Sequence, residues 1–277
     1  MTTHPATSAP SVASVSPVAL RSVLISGFWL LVGCAWLLLC IRGWGSWMLS
    51  PEHFQPVPRG PDVLSASSLM WIRVIEAGSV LVTIWMAHTY WYAPWRQGRG
   101  FTLEGKLLLG GVFGCFWDPV INALHWTFAW NTHAFNRGDW SAWVPGHQLG
   151  HAFAEGVLWA VPQYMYLGLV TAVLMNRGID ALARRGVGFW PALAAVSVIV
   201  MVVDVVWETL FIRAELYAYP RSFAGFTLWP GTQFQFPLHE PLLILLYPMA
   251  IVTLLRSTRG GQVNFLERGF VRCSPRW

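Results

Sequence analysis

Apolar residues run along this chain in long blocks that polar residues interrupt at intervals. The block from Val23 to Ile41 contains no charged residue. It is long enough to cross a bilayer, because a transmembrane helix needs about 20 apolar residues. A secretory signal would have a shorter apolar region, of about 7–15 residues, followed by a small-residue cleavage site. The block therefore predicts an uncleaved membrane span.

Further apolar blocks follow, and connections rich in Pro and Gly separate them. The pattern predicts an all-α fold, a polytopic transmembrane helical bundle of about six spans. The predicted spans cover residues 22–41, 68–92, 106–130, 150–175, 188–211 and 237–255. Residues 1–20 lack Lys, Arg, Asp and Glu and are predicted to be a disordered tail. The transmembrane domain is then expected over 21–256, with a basic cytoplasmic tail over 257–277.

Composition supports a membrane protein, because the chain is 55% hydrophobic and 11% charged, whereas soluble domains are about 25% charged. Twelve Lys and Arg residues fall on the side that holds both termini, and five fall on the opposite side. This asymmetry predicts a bacterial-type inner membrane protein with cytoplasmic termini. It also accounts for the net charge of +5, so the expected partner is the lipid bilayer and not a nucleic acid. Nothing in the pattern sets an oligomeric state.

Metal chemistry receives little support from the residue pattern. His147, His151 and Glu155 have the spacing i, i+4 and i+8, which could suit a metal or mark the hydrated end of a span. The paired histidine boxes of membrane di-iron oxygenases are absent, and no CxxC pair occurs. We therefore expect no metal and no cofactor.

Buried acids are the strongest functional signal in the sequence. A charge at the bilayer centre costs on the order of 2.5–3.5 kcal/mol, so acids within spans normally face the bundle interior and serve a purpose. The predicted topology brings them, from several helices, to one level in the outer half of the membrane. The acids within or at the ends of predicted spans are Glu76, Asp118, Glu155, Asp204, Glu208 and Glu240.

Spacing suggests which acids act together. Asp118, Asn122 and His125 share one helical face at i, i+4 and i+7, and Asp204 and Glu208 are one turn apart. When two carboxyls approach in an apolar site, the pKa of one rises, which gives an acid beside a base. The candidate catalytic residues are Asp118, Asn122, Glu208, Asp204, Glu155 and Glu240, with Asp118 and Glu208 as the central pair. A structural interhelical hydrogen bond is the alternative for Asp204.

Aromatic and polar neighbours of these acids are candidates for substrate binding. Tryptophan faces can stabilise a cationic intermediate, although most Trp residues of a membrane protein belong to interfacial belts. Arg73 and Glu76, at i and i+3, have a structural ion pair as their alternative. The candidate binding residues are Trp117, His125, Trp126, Asn131, Trp207, Glu76, Arg73 and His239.

One segment resembles a known family. The block 116–122, which reads FWDPVIN, is followed by Trp130-Asn131 and by NRGDW at 136–140. These motifs are similar to those of the membrane spirocyclases typified by the avermectin spirocyclase, and the resemblance covers about residues 70–250. It implies a cofactor-independent enzyme that dehydrates a lipophilic dihydroxy-ketone and closes a spiroketal in polyketide maturation. Asp118, Asn122 and Asn131 match the family block.

Other interpretations fit the same residues. A membrane terpene or meroterpenoid cyclase would also use a buried acid with aromatic neighbours. A small proton-coupled transporter would use intramembrane acids as a relay, although the internal repeats common in transporters are missing. A purely structural membrane protein would be more stable without its buried acids.

Overall fold

Long helices make up most of the fold. A computed structural model describes residues 17–61, 63–119, 128–146 and 153–273, and the all-α prediction is confirmed in that the described chain is mostly helical. The helices within these ranges are α1 Pro17–Met48, α2 Ala66–Ala87, α3 Ala93–Arg96, α4 Leu103–Gly114, α5 Ala160–Ala183, α6 Phe189–Arg213, α7 Glu240–Ser257 and α8 Arg268–Cys273. A π-helical turn, His88–Tyr92, joins α2 to α3, and a 3-10 turn, Cys115–Trp117, follows α4.

The chain forms two compact units. The larger covers residues 36–256, and the smaller combines residues 1–35 with 257–277. In the smaller unit the backbone N–H of Gly269 donates to Ser26 Oγ at 3.0 Å. A Cβ atom at Gly269 would lie 2.4 Å from the Ser22 carbonyl, so this glycine permits the close approach. Both predicted terminal tails include helical residues in their described parts, because α1 begins at Pro17 and α8 lies within 257–277.

Four helices are long and apolar enough to cross a membrane. They are Leu20–Met48, Ala66–Arg96, Phe189–Arg213 and Glu240–Ser257 among the described residues. They agree with predicted spans one, two, five and six. The predicted total of six spans is not confirmed, because α4 and α5 are not among the four.

Two predicted spans have the wrong extent. The third was expected as one helix over 106–130, but α4 ends at Gly114 and a strand occupies Ala129–Trp130. The fourth was expected to begin at residue 150, but α5 begins at Ala160. Pro162 explains the late start, because proline is tolerated in the first turn of a helix but not in its interior.

Helix α5 is the centre of the larger unit. It packs against α2, α4 and α6, and small residues allow the close approaches. A Cβ atom at Gly111 of α4 would lie 2.5 Å from the Tyr164 carbonyl oxygen, and one at Gly168 would lie 2.1 Å from the Tyr247 ring of α7. Met165, Leu169 and other apolar side chains of α5 form part of the largest described core cluster.

Two short antiparallel ladders connect the loops beyond the helix ends. Strand β1, Ala129–Trp130, pairs with β2, Tyr217–Ala218, and β3, Thr227–Leu228, pairs with β4, Phe236–Pro237. The first ladder ties the connection after α4 to the connection after α6, and it aligns Trp130 with Tyr217.

We expect Gly111→Ala to destabilise the α4–α5 contact, because backbone atoms of α5 occupy the space of the new methyl group. Overpacking of this kind costs ~1–3 kcal/mol. Thermal unfolding of purified protein in detergent would measure the loss. Gly110→Ala is the matched control, since nothing lies within 4 Å of its Cβ position. Equal stability of the two variants would contradict this packing.

Candidate functional site

The ends of four helices meet where the acids lie. Asp118 follows the 3-10 turn after α4, and Glu155 precedes α5. Asp204 and Glu208 lie in the C-terminal half of α6, and Glu240 is the first residue of α7. Since α4 and α6 run towards this end of the bundle while α5 and α7 run away from it, the five carboxyls collect at one end.

Asp118 is a buried carboxyl with two hydrogen-bond donors. Its side chain is 4% exposed. The indole N–H of Trp130 donates to Oδ2 at 2.8 Å, and the Tyr164 hydroxyl donates to Oδ1 at 2.8 Å. Both donors favour the ionised form. Burial raises the pKa of Asp118 above its ordinary value, and the hydrogen bonds from Trp130 and Tyr164 offset part of that rise.

Glu155 lies beside Asp118 but lacks comparable hydrogen-bond donors among the described residues. It is 1% exposed, and neither oxygen has a hydrogen-bond partner of normal geometry among the described residues. Asp118 and Asp139 are its charged neighbours, and burial, followed by these two charges, raises the pKa of Glu155 well above its ordinary range. Burial and the two neighbouring charges therefore favour the protonated form of Glu155.

The segments around Glu155 are fixed by Asp139. Its Oδ1 accepts from the Ser141 backbone N–H at 2.6 Å, and its Oδ2 accepts from the Phe153 backbone N–H. The Glu155 N–H itself donates to the Gly138 carbonyl. Asp139 thus connects the two loop segments and holds Glu155 in place.

A second acidic group adjoins the first. Glu208 is 5% exposed and its Oε2 accepts from the Tyr219 hydroxyl at 2.7 Å. Asp204 and Glu240 are its electrostatic neighbours, and Glu240 also interacts with Asp118. Glu240 therefore links the two acidic groups into one cluster of five carboxyls. Such a cluster cannot be fully ionised in an apolar setting.

Aromatic side chains pack together beside this acidic cluster. Trp130 meets Trp159 edge to face at 4.5 Å between ring centroids, and Trp159 stacks on Tyr217 at 6.0 Å. Tyr217 in turn contacts Tyr219. Trp159, Tyr164, Tyr217 and Tyr219 were not among the site residues predicted from the sequence. The Tyr-Ala-Tyr pattern at 217–219, shortly after α6, could have indicated two of them, because alternate residues of a strand share one face.

Three predicted binding residues hold loops in place. Arg73 pairs with the buried Glu76 and donates to the His133 carbonyl at 2.9 Å, while Glu76 accepts the Phe135 N–H at 2.5 Å. Asn131 donates to the Glu215 carbonyl at 2.6 Å. These contacts match the structural alternative considered for the ion pair.

The remaining predicted binding residues differ in position. Trp117 and Trp207 are 52% and 48% exposed. Their side chains therefore lie on the outer surface of the larger unit. His239 Nε2 lies 3.7 Å from Glu240 Oε1, at the edge of the acid cluster. Asn122, His125 and Trp126, together with His147 and His151, lie outside the described residues. Among the described residues, no group of three or more His, Cys, Asp or Glu side chains could hold a metal ion.

These features define a membrane protein with an acidic, aromatic-lined site at one end of its helix bundle. A family model described as spirocyclase AveC-like matches residues 98–275. The match covers more than half of the chain, so the protein belongs to the AveC-like spirocyclase family, as its DP-x-x-N block predicted. Membership suggests a spirocyclase-type role in secondary metabolism. Comparisons with curated proteins and with solved structures gave no match.

We expect the buried Glu155 to make stability depend on pH. Because its folded-state pKa is raised above the unfolded value, the folded protein loses stability as pH rises from the unfolded pKa through the folded one. Glu155→Gln should remove this loss, so the melting temperature of the variant should exceed that of the wild type increasingly towards higher pH. Thermal unfolding between about pH 5 and pH 8 tests this window.

Glu52→Gln is the control for that series, since Glu52 is exposed. A constant difference between wild type and Glu155→Gln across the pH range would show that Glu155 ionises equally in both states.

Proposed function

We propose that this protein is a membrane enzyme that closes a spiroketal from a lipophilic dihydroxy-ketone by acid–base catalysis, with loss of one water. The observation that carries the proposal is the contrast between Asp118 and Glu155, two adjacent buried carboxyls in opposite environments. Neighbouring titratable groups whose surroundings separate their pKa values are the usual arrangement of an acid with a base. Family membership supports the reaction class.

The two roles follow from the hydrogen bonds. Asp118, with donors from Trp130 and Tyr164, is stabilised as a carboxylate and serves as the base. Glu155, which has no described donor, remains protonated and serves as the acid. This pairing replaces the expected central pair of Asp118 with Glu208. Glu208 instead belongs to the neighbouring acidic group and accepts from Tyr219.

Each step balances without a redox partner. One substrate hydroxyl adds to the ketone carbon, and its proton passes to the carbonyl oxygen, which gives a hemiketal. Glu155 donates its proton to the hemiketal hydroxyl, which leaves as water, and an oxocarbenium ion forms. The second substrate hydroxyl attacks this cation, and Asp118 takes the proton that is released. Proton transfer from Asp118 to Glu155 then restores the resting state.

The cationic intermediate has suitable surroundings. The faces of Trp130, Trp159 and Tyr217 are electron-rich, and such faces stabilise a cation by ~0.5–2 kcal/mol each. The carboxyl of Glu208, fixed by the hydrogen bond from Tyr219, lies in the same cluster. Burial excludes bulk water, which would otherwise capture the cation.

We expect Asp118→Asn and Glu155→Gln each to lower kcat by about 10²–10⁴-fold, the usual contribution of a general acid or base. A symmetric dihydroxy-ketone with four methylene groups on each side of its carbonyl is a suitable substrate. Its spiro carbon is stereogenic, so uncatalysed closure gives a racemate. Chiral chromatography therefore detects the enzymatic reaction as an excess of one enantiomer.

Asp180→Asn is the matched control, because Asp180 pairs with Arg256 at the opposite end of α5. It should keep full activity. Full activity of folded Asp118→Asn and Glu155→Gln proteins would end the acid–base proposal.

The pH profile should identify the acid. Since Glu155 must be protonated, kcat/KM should fall as pH rises through its raised pKa. Asp139→Asn removes one neighbouring negative charge that raises the Glu155 pKa, so the alkaline limb should move to lower pH. Glu52→Gln should leave the limb in place. An unchanged limb in a folded Asp139→Asn protein would assign the titration to another group.

A further inference from the structure

Several buried polar atoms around the acid cluster lack hydrogen-bond partners among the described residues. A buried polar group without a partner costs ~1–3 kcal/mol, so a group of such atoms indicates where ligand atoms bind. The atoms in this region are Glu155 Oε1 and Oε2, Trp159 Nε1, Gln163 Oε1, Asp204 Oδ2 and His239 Nδ1.

Trp159 differs from the others because it is a fixed donor. The residue is 1% exposed, and its ring is held between Trp130, Phe211 and Tyr217. A buried tryptophan usually pairs its N–H, and Trp130 does so with Asp118. The indole N–H of Trp159 is therefore a rigid donor without an acceptor in the part of the chain that the structure describes.

A glycine leaves this N–H without a side chain packed against it from residue 156. A Cβ atom at Gly156 would lie 2.9 Å from Trp159 Nε1 and 3.6 Å from the Trp130 ring. Gly156 directly follows Glu155, so the free indole N–H lies next to the segment that carries the unpaired carboxyl. Both groups, the N–H and the protonated Glu155, donate hydrogen bonds.

We infer that Trp159 Nε1 and Glu155 form a two-donor site for the ketone oxygen of the substrate, and that Gly156 leaves the indole N–H uncovered. The inference rests on the proposed function for the chemical class of the ligand, a hydroxy-ketone. A carbonyl oxygen has two lone pairs and can accept from both groups at once. The oxygen that later leaves as water then begins the reaction beside the acid that protonates it.

Binding without turnover tests this site. In an Asp118→Asn background, the probes are the same dihydroxy-ketone and the matching diol with a methylene group in place of the carbonyl. Trp159→Phe keeps the ring and removes the N–H, so it should weaken ketone binding by roughly 3–10-fold and leave diol binding unchanged. Gly156→Ala should produce the same selective loss by filling the space.

Two variants serve as controls. Trp36→Phe removes an indole N–H that is already paired, with the Phe113 carbonyl at 3.2 Å, and Gly110→Ala adds a methyl group where nothing lies within 4 Å. Neither should change the preference for ketone over diol. Melting temperatures would verify that all variants are folded.

The outcomes separate this inference from the proposed function. Ketone-selective binding that depends on Trp159, with no spiroketal formed by the wild type, would support the site and reject the reaction. Enantioselective closure by the wild type with unchanged KM and kcat in Trp159→Phe would reject the site alone. Equal loss of ketone and diol binding, or no ketone preference in the parent protein, would also overturn the two-donor site.

Discussion

Burial of carboxyl groups at one end of an apolar helix bundle is the constraint on which the rest of the structure depends. Each such group needs hydrogen-bond donors, a proton or both, because an isolated charge in an apolar interior is very costly. Asp118 receives two donors from side chains on separate segments, and Glu208 receives one from Tyr219. The loops that carry Trp130 and Tyr219 are joined by the β1–β2 ladder. The architecture beyond the helix ends can thus be understood as the support that these acids require.

This support also explains why the helices end where they do. A continuous helix from α4 through residue 130 would carry Trp130 away from Asp118 by helical rise alone, whereas Trp130 lies on strand β1 with its indole N–H on the carboxyl. The same applies to Glu155, which lies before α5 and not on it. Glu155 thus stands on non-helical backbone that other residues fix, Asp139 above all, whereas Asp118 has helical backbone directly after the 3-10 turn. Rigid positions of this kind favour precise proton transfer.

The sequence alone predicted the helical class, the four strongest spans and the family. Hydropathy and the cost of intramembrane charge are local properties, so the convergence of Asp118, Glu155, Asp204, Glu208 and Glu240 could be anticipated from depth along the spans. The side chains that bind and surround these acids could not be predicted from the sequence. Trp159 and Tyr219 are separated from the acids by loops whose path depends on two-residue strands, and such strands have no periodicity to detect. The orientation of Trp117 and Trp207 was equally hidden, because an aromatic residue next to an acid in sequence faces a different direction on a helix.

Helix α5 has a consequence for how the protein is assembled in the membrane. It is the most central helix of the larger unit, yet its own apolar character does not place it among the four candidate spans. A segment of this kind gains little by partitioning into lipid alone, and it becomes stable only when α4 and α6 cover its polar positions. We therefore expect the larger unit to assemble cooperatively, with α5 gaining its stability as its neighbours pack against it.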